Sequence, residues 1–394
     1  MPPTETSRLL PSNHTSEEHS GSSPTVVSSL HAAATQSWLN VLLVFVPVGI
    51  AAGVLSWGPQ WIFTFNFLAI LPLAQLLGFA TEEIALRTSQ TIGGLLNATF
   101  GNAGELLILG VAALQGGLVR IVQASLIGSI LSNLLFVAGL CFFVAGLRYK
   151  EARFAVPIAN ISGSLLSLAL AGILLPGAFF AQLVANPPSK EGPTPEEQVV
   201  NVSRGASIIL LGIYFAYLYF QLHSHKHLFE DPEGEEEAEE PKMNFWVAVI
   251  LLAGSTVIIA VCAEYLVGSI EGISEEWGLT KSFVGLVLLP IVGNAAEHLT
   301  AVTVAYKNKL GLSLGISVGS ALQIAMFVGP VLVLTGWAIG VPLTLEFGVF
   351  ETAVSFVSVF IVVHLIDDGA TNYLEGLLLL GTYAITCIAF WYMP

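Results

Sequence analysis

The chain has 394 residues, of which 54% are apolar and only 10% charged, and its mean hydropathy is +0.78. Soluble domains carry about a quarter charged residues, so this composition excludes an ordinary soluble enzyme and indicates an all-α protein built into a lipid bilayer. The net charge of −15 excludes nucleic acid and anionic lipid surfaces as natural partners and favours cations.

Residues 1–35 are polar and rich in Ser, Thr and His, with no apolar stretch of a cleavable signal. They read as a disordered cytosolic tail. Within the tail, the run from Glu5 to Leu10 resembles an acidic dileucine signal, a candidate docking point for a vacuolar or lysosomal sorting adaptor. Eleven apolar segments follow, near 38–57, 61–86, 90–114, 119–146, 154–176, 204–222, 244–270, 281–305, 311–337, 343–364 and 373–392. Each is about long enough to cross a bilayer. The chain thus divides into a first transmembrane helix (36–60), a five-helix unit (61–222), a linker (223–243) and a second five-helix unit (244–394). The linker holds Glu230, Asp231, Glu233, Glu235, Glu236, Glu237, Glu239 and Glu240 with no base among them. It is either a solvated spacer or a cation-gathering segment. Cys141, Cys262 and Cys387 sit in apolar runs without metal-ligand spacing and read as packing residues.

The positive-inside rule sets the orientation. With the N-terminus cytosolic, that side receives nine of the thirteen Lys and Arg residues, and Arg120, Lys190, Arg204 and Lys281 fall on the other. The linker is then cytosolic and the C-terminus luminal.

Two of the apolar segments carry the same motif. Gly101-Asn102-Ala103-Gly104-Glu105 lies in the third segment and Gly293-Asn294-Ala295-Ala296-Glu297 in the eighth. A carboxylate at that depth costs on the order of 3 kcal/mol by insertion scales. Its recurrence with the same Gly and Asn points to one site built from two related halves. Downstream, Gly128-Ser129 falls on Gly319-Ser320, and Ser132 on Gln323. Upstream, Glu82-Glu83 lies near the counterpart of Glu264. An odd number of spans per repeat inverts the second relative to the first, and inverted repeats with Gly-interrupted helices point to a transporter's midplane site.

Gly and Asn disfavour continuous helix. A broken helix in a bilayer survives only where protein or a water-filled cavity satisfies the freed backbone groups. The freed carbonyls, with Asn102, Asn294, Glu105 and Glu297, make an all-oxygen site with two negative charges. Hard divalent cations such as calcium take such ligands. Two like charges without a cation between them also favour a proton, so calcium and protons compete for one pair. The alternative is a structural one, Glu and Asn locking two helices together. Ser129, Ser132, Ser320 and Gln323 are candidates for the surrounding shell or for small-residue helix contacts. Glu83 and Glu264, towards helix ends, either relay protons or face an interfacial cavity, and His298 is a candidate for the proton path that serves equally well as an interhelical hydrogen-bonding group. His223, His225 and His227, just before the linker, read as a solvated helix end.

The runs GGLLNATFGNAGEL, PIVGNAAEH and GSALQIA resemble the calcium/proton exchangers of the CAX type, within the calcium/cation antiporter superfamily, and fungal vacuolar ones in particular. The resemblance extends from about residue 38 to the end. It implies that Glu105 and Glu297 bind calcium and take part in proton exchange, that one span precedes two inverted five-span repeats, and that the acidic linker is a cytosolic segment that gathers or senses calcium. It implies no cofactor beyond the transported Ca2+ and H+, and a vacuolar membrane location. Gly104 departs from the family pattern, where a larger residue often precedes the Glu. Other classes fare worse: the adjacent pair Asp367-Asp368 lies in a predicted cytosolic loop and no His-Glu-x-x-His occurs, which leaves an intramembrane hydrolase without its chemistry. Sodium- or potassium-coupled exchange and a cation channel remain rivals within transport.

Overall fold

The computed structural model describes residues 24–88, 93, 96, 104–186, 192–229 and 241–393, excepting the side chains of 104–106, 292 and 296. Helices account for nearly all of it. In chain order they are α1 (Val26–Thr35), α2 (Trp38–Val54), α3 (Pro59–Ala85), α4 (Gly104–Gln115), α5 (Val119–Tyr149), α6 (Val156–Ala185), α7 (Pro195–Ser224) and α8 (Phe245–Trp277). Then come α9, made of the consecutive pieces Lys281–Phe283, Val284–Leu288 and Leu289–Gly293, then α10 (Ala295–Tyr306), α11 (Leu310–Ile339), α12 (Val349–Ile366) and α13 (Tyr373–Trp391). Among the described residues eight helices are long and apolar enough to cross a membrane, or nine if the bent pair α1–α2 counts as one.

The expected eleven segments exceed that count because of the two that carry the motif. The third lies partly outside the described residues, its latter part being α4, and the eighth is broken between α9 and α10, at Asn294. α10 has 12 residues, about 18 Å at 1.5 Å per residue, roughly three-fifths of a hydrocarbon core. The expected tail also needs correction, because its last ten residues form α1. Thr25 caps that helix by accepting from Ser28 N, and Ser29 and Ala33 are buried. The Ser29 hydroxyl accepts from Asn244 N at 2.8 Å, which docks α1 on the start of α8. The small apolar residues of VVSSLHAAAT supply the packing that a tail read as polar was expected to lack.

α5 and α11 form the centre: 72% and 83% of the residues in their apolar windows are buried, against 17% for α6 and α7. Both open into a wide, π-helical turn, Ser132–Val137 in α5 and Ile324–Val328 in α11. Such turns shift the side-chain register and free backbone groups, and they cluster at functional sites. Glycines let α5 touch its neighbours backbone to backbone. A Cβ on Gly128 would lie 2.2 Å from the Leu286 carbonyl oxygen of α9, and one on Gly146 2.1 Å from Tyr373 N of α13. Small-residue seams of this kind are how membrane helices pack.

The two ends of the bundle are tied differently. At one end β1 (Ala152–Arg153) pairs antiparallel with β2 (Ala370–Thr371), joining the turn after α5 to the turn after α12. At the same end Tyr149 Oη donates to Tyr306 O at 3.0 Å and Arg148 stacks 4.1 Å over the Tyr306 ring. At the other end Arg120, at the start of α5, pairs with Glu351, at the start of α12 (3.0 Å). α4 runs towards the Arg120 end and α10 away from it, so the two motif-bearing helices run in opposite directions.

Candidate functional site

The break between α9 and α10 follows from its residues. Pro290 supplies a carbonyl, and Asn294 returns to it twice: its backbone N donates to Pro290 O at 3.2 Å and its side-chain Nδ2 at 3.0 Å. Asn294 itself leaves helical geometry (φ −108°, ψ 12°), and α10 restarts at once. Glu297 therefore stands in the first turn of a new helix, where the unsatisfied N–H groups and the macrodipole favour a negative charge. Glu105 lies in α4, and its side chain lies outside the described residues.

The Glu297 carboxylate is held from the central helices. Ser320 Oγ of α11 donates to Glu297 Oε2 at 2.9 Å. Asn133 of α5 donates from Nδ2 to Ser129 O at 3.0 Å and to Ser320 Oγ at 3.4 Å. A hydrogen-bonded chain Asn133–Ser320–Glu297 thus joins α5, α11 and α10 across both halves of the sequence. Asn133 was not singled out from the sequence, and it is 1% exposed. The signal for it was a lone amide beside Ser132 in an apolar span.

The other expected residues fall into three groups. Ser129, Ser132 and Gln323 are buried close to this chain, at the approach to the wide turns. The Ser129 hydroxyl has no hydrogen-bond partner among the described residues, and such an orphaned oxygen is available to a cation or water; the Ser132 hydroxyl faces that of Tyr383. His298 is buried beside Glu297, its ring 6.0 Å from that of Phe136 and its Nε2 likewise unpartnered among the described residues. Glu83 and Glu264 are placed elsewhere. Glu264 is exposed on α8. Glu83 is buried at the end of α3, where its two oxygens accept from Lys242 N (3.0 Å) and Met243 N (2.9 Å) and from Arg87 Nη1 (3.3 Å). Arg87 also donates to Met243 O. Glu83 thus fastens the chain entering α8. Glu83→Ala should lower stability by about 1–3 kcal/mol, the cost of leaving buried amides unsatisfied, read as a lower thermal midpoint in detergent; an unchanged midpoint would refute that role. Asn102, the acids of the linker from Glu230 to Glu240, and the Glu5–Leu10 run lie outside the described residues.

A small cavity of about 30 Å³ adjoins the site. It is lined by Asn294, Gly293 and Ser129 at one end and by Ile121, Val122 and Ser125 towards the Arg120 end. Its walls, Leu109, Ala113, Leu126, Leu289 and Leu332, are apolar. No three carboxylate, imidazole or thiol groups converge among the described residues. A full ligand set there therefore draws on serine and amide oxygens, backbone carbonyls, or residues outside that description.

The sequence matches the family described as sodium/calcium exchanger protein over residues 59–223 and 247–392. It is 48% identical to a vacuolar calcium ion transporter of Schizosaccharomyces pombe, covering 94% of this chain and 88% of that protein. It is 45% identical to a Ca2+/H+ antiporter of Synechocystis, covering 90% and 97%. The solved structure of native YfkE superposes with a TM-score of 0.75 at 36% identity, over 90% of this chain and all of that one. The similarity runs through both motif-bearing halves and the central helices between them, and the protein belongs to the sodium/calcium exchanger family as one of its CAX-type members.

Proposed function

We propose that the protein is a proton-coupled calcium antiporter that moves cytosolic Ca2+ into an acidic vacuole in exchange for luminal H+. It is a transporter, not an enzyme. The observation that carries this reading is the placement of Glu297 at a helix start inside the bundle, held through Ser320 and Asn133, with Glu105 at the same position of the other motif, in an oppositely directed helix. The names of the relatives support it. The S. pombe protein is a vacuolar calcium ion transporter and the Synechocystis protein a Ca2+/H+ antiporter. On this reading two inverted five-helix repeats, 61–222 and 244–394, each contribute one Gly-Asn-Ala-x-Glu motif.

Asn102 and Asn294 complete the oxygen set with backbone carbonyls at the breaks, and Ser129, Ser132, Ser320 and Gln323 surround it. A divalent cation neutralises both carboxylates. When it leaves, two like charges remain in a low-dielectric setting and protons replace it. Movement of α3 and α8 against the central helices then exposes the pair to one side at a time. The bias of basic residues puts the β1–β2 end in the cytosol and the Arg120 end in the lumen. The acidic linker gathers or senses calcium on the cytosolic side, and the Glu5–Leu10 run recruits a sorting adaptor.

The test is 45Ca2+ uptake into vesicles holding the purified protein, with an acid interior and no sodium or potassium. Uptake should be saturable, should run against a calcium gradient and should collapse with a protonophore. Uptake that requires sodium or potassium, or flux that never exceeds the passive gradient, would replace antiport with one of its rivals.

A further inference from the structure

The helix α1 presents three different faces. Ser29 and Ala33, one turn apart, are buried. Val26, Leu30, Ala34 and Val27 come next around the helix, within an arc of about 100° at 3.6 residues per turn. All four are exposed, Val26 and Leu30 at 58% and Val27 at 78%. Ser28, His31 and Thr35 make up a polar third face, also exposed. α1 carries no Asp, Glu, Lys or Arg.

The buried face fastens α1 to two other helices. Ala33 joins Leu76 and Ile84 of α3 and Met243 and Ala248 at the entry to α8 in a small apolar core, separate from the main one. Ser29 Oγ accepts from Asn244 N at 2.8 Å, and Gln36 Nε2 donates to Gln75 O of α3 at 3.4 Å. Asn40 Nδ2 reaches back to the carbonyls of Ala33 and Ala34, at 2.8 and 3.0 Å, and fixes the corner between α1 and α2. That corner turns the chain by 97°. Beyond it α2 runs antiparallel along α3, where Asn66 Nδ2 donates to Gly49 O at 3.1 Å. α3 is long and apolar enough to cross a membrane, so α1 lies across the direction of the spans, close to the membrane plane. Trp38 at the start of α2 and Trp246 at the start of α8 are 71% and 70% exposed. Exposed Trp gathers at the boundary between membrane and water, and both stand within a few residues of the contacts that hold α1.

We propose that α1 is an interfacial helix, with Val26, Val27, Leu30 and Ala34 sunk into the boundary between lipid headgroups and acyl chains, and that its hold on the membrane surface braces this end of α3 and α8. Its polar face, Ser28, His31 and Thr35, then meets water. Helices that lie in the interface bind through buried apolar area and through attraction of basic residues to anionic lipid. α1 has no basic residue other than His31, so apolar burial holds it, and the net negative charge of the chain is no obstacle. The brace acts on α3 and α8, the pair that moves on the antiport reading, but the placement of α1 does not depend on that reading.

The test is spin-label accessibility in the full chain, reconstituted in phosphatidylcholine vesicles. Nitroxides are attached to Val27→Cys, Leu30→Cys, Ser28→Cys and Thr35→Cys in turn. The unsubstituted chain, in which Cys141 and Cys262 are buried, gives the background. Labels at 27 and 30 should collide several-fold more with oxygen, which gathers among acyl chains, than with a nickel chelate, which stays in water. Labels at 28 and 35 should show the reverse, and adding phosphatidylglycerol should not change the pattern. Four labels equally open to nickel would mean a tail in water. Labels at 27 and 30 shielded from both reagents would mean a contact with a second copy of the chain. A pattern that appears only with phosphatidylglycerol would mean attachment by charge. Each of these overturns the proposal. The brace is read by hydrogen exchange at residues 243–248, which should be several-fold faster in Leu30→Asp than in the wild type; equal exchange refutes it. Should Leu30→Asp fail to fold, Leu30→Ala must shift exchange in the same direction by a smaller factor. Neither measurement involves transport, so a protein that failed to exchange calcium for protons would still give both answers.

Discussion

Glu297→Gln should abolish proton-gradient-driven calcium uptake while leaving the protein as stable as the wild type or slightly more so. The substitution keeps the size of the side chain, and its amide oxygen still accepts from Ser320 Oγ, the donor that reaches Glu297 Oε2 at 2.9 Å. The Asn133–Ser320 link is untouched. What is lost is one negative charge. Removing one partner of a buried charged contact costs about 3 kcal/mol, on the order of a hundredfold in affinity, and the same change removes the group that would carry the proton. A structural role for Glu297 makes the opposite prediction. A carboxylate at membrane depth costs on the order of 3 kcal/mol, and a residue kept only to lock α10 to α11 would transport normally as Gln. Glu105→Gln should behave alike because it occupies the same place in the other motif. Uptake retained in both variants, measured in vesicles beside an unchanged thermal midpoint, would end the site assignment.

Much of this was legible in the sequence for a physical reason. A bilayer forces backbone groups to be satisfied within each span, so hydropathy alone locates α3 and α5 to α8, and a Gly-Asn pair within an apolar run marks the break at Asn294. Less visible were features that depend on partners far away in the chain. Glu83 looked like a member of a proton path although Arg87 stands one turn away; beside that local partner, what fixes its role are Lys242 N and Met243 N, 159 and 160 residues on. Asn133 passed unnoticed because its contact with Ser320 spans 187 residues. The helix α1 was missed because its stability comes from docking on α8 through Ser29 and Asn244.

Gly128→Ala should lower both stability and transport, and the loss of transport should persist in the folded fraction. The added Cβ would lie 2.2 Å from Leu286 O, 2.7 Å from Leu286 C and 2.6 Å from Pro290 Cγ. The first two are backbone atoms in the wide turn Val284–Leu288 and cannot rotate away, so α5 and α9 must separate. Forcing a methyl group into a packed seam costs about 1–3 kcal/mol, and here the displaced element holds the site. Pro290 O anchors both the backbone and the side chain of Asn294, and Glu297 follows three residues later. Moving α9 outward therefore shifts the start of α10 relative to Ser320 on α11, and sub-ångström errors in oxygen positions weaken cation binding. Gly205→Ala is the control: Gly205 is exposed on α7 and no described atom lies within 4 Å of its would-be Cβ. That variant should keep the wild-type thermal midpoint and uptake rate. A Gly128→Ala protein that melts and transports like the wild type would mean that the α5–α9 seam does not position the Asn294 break.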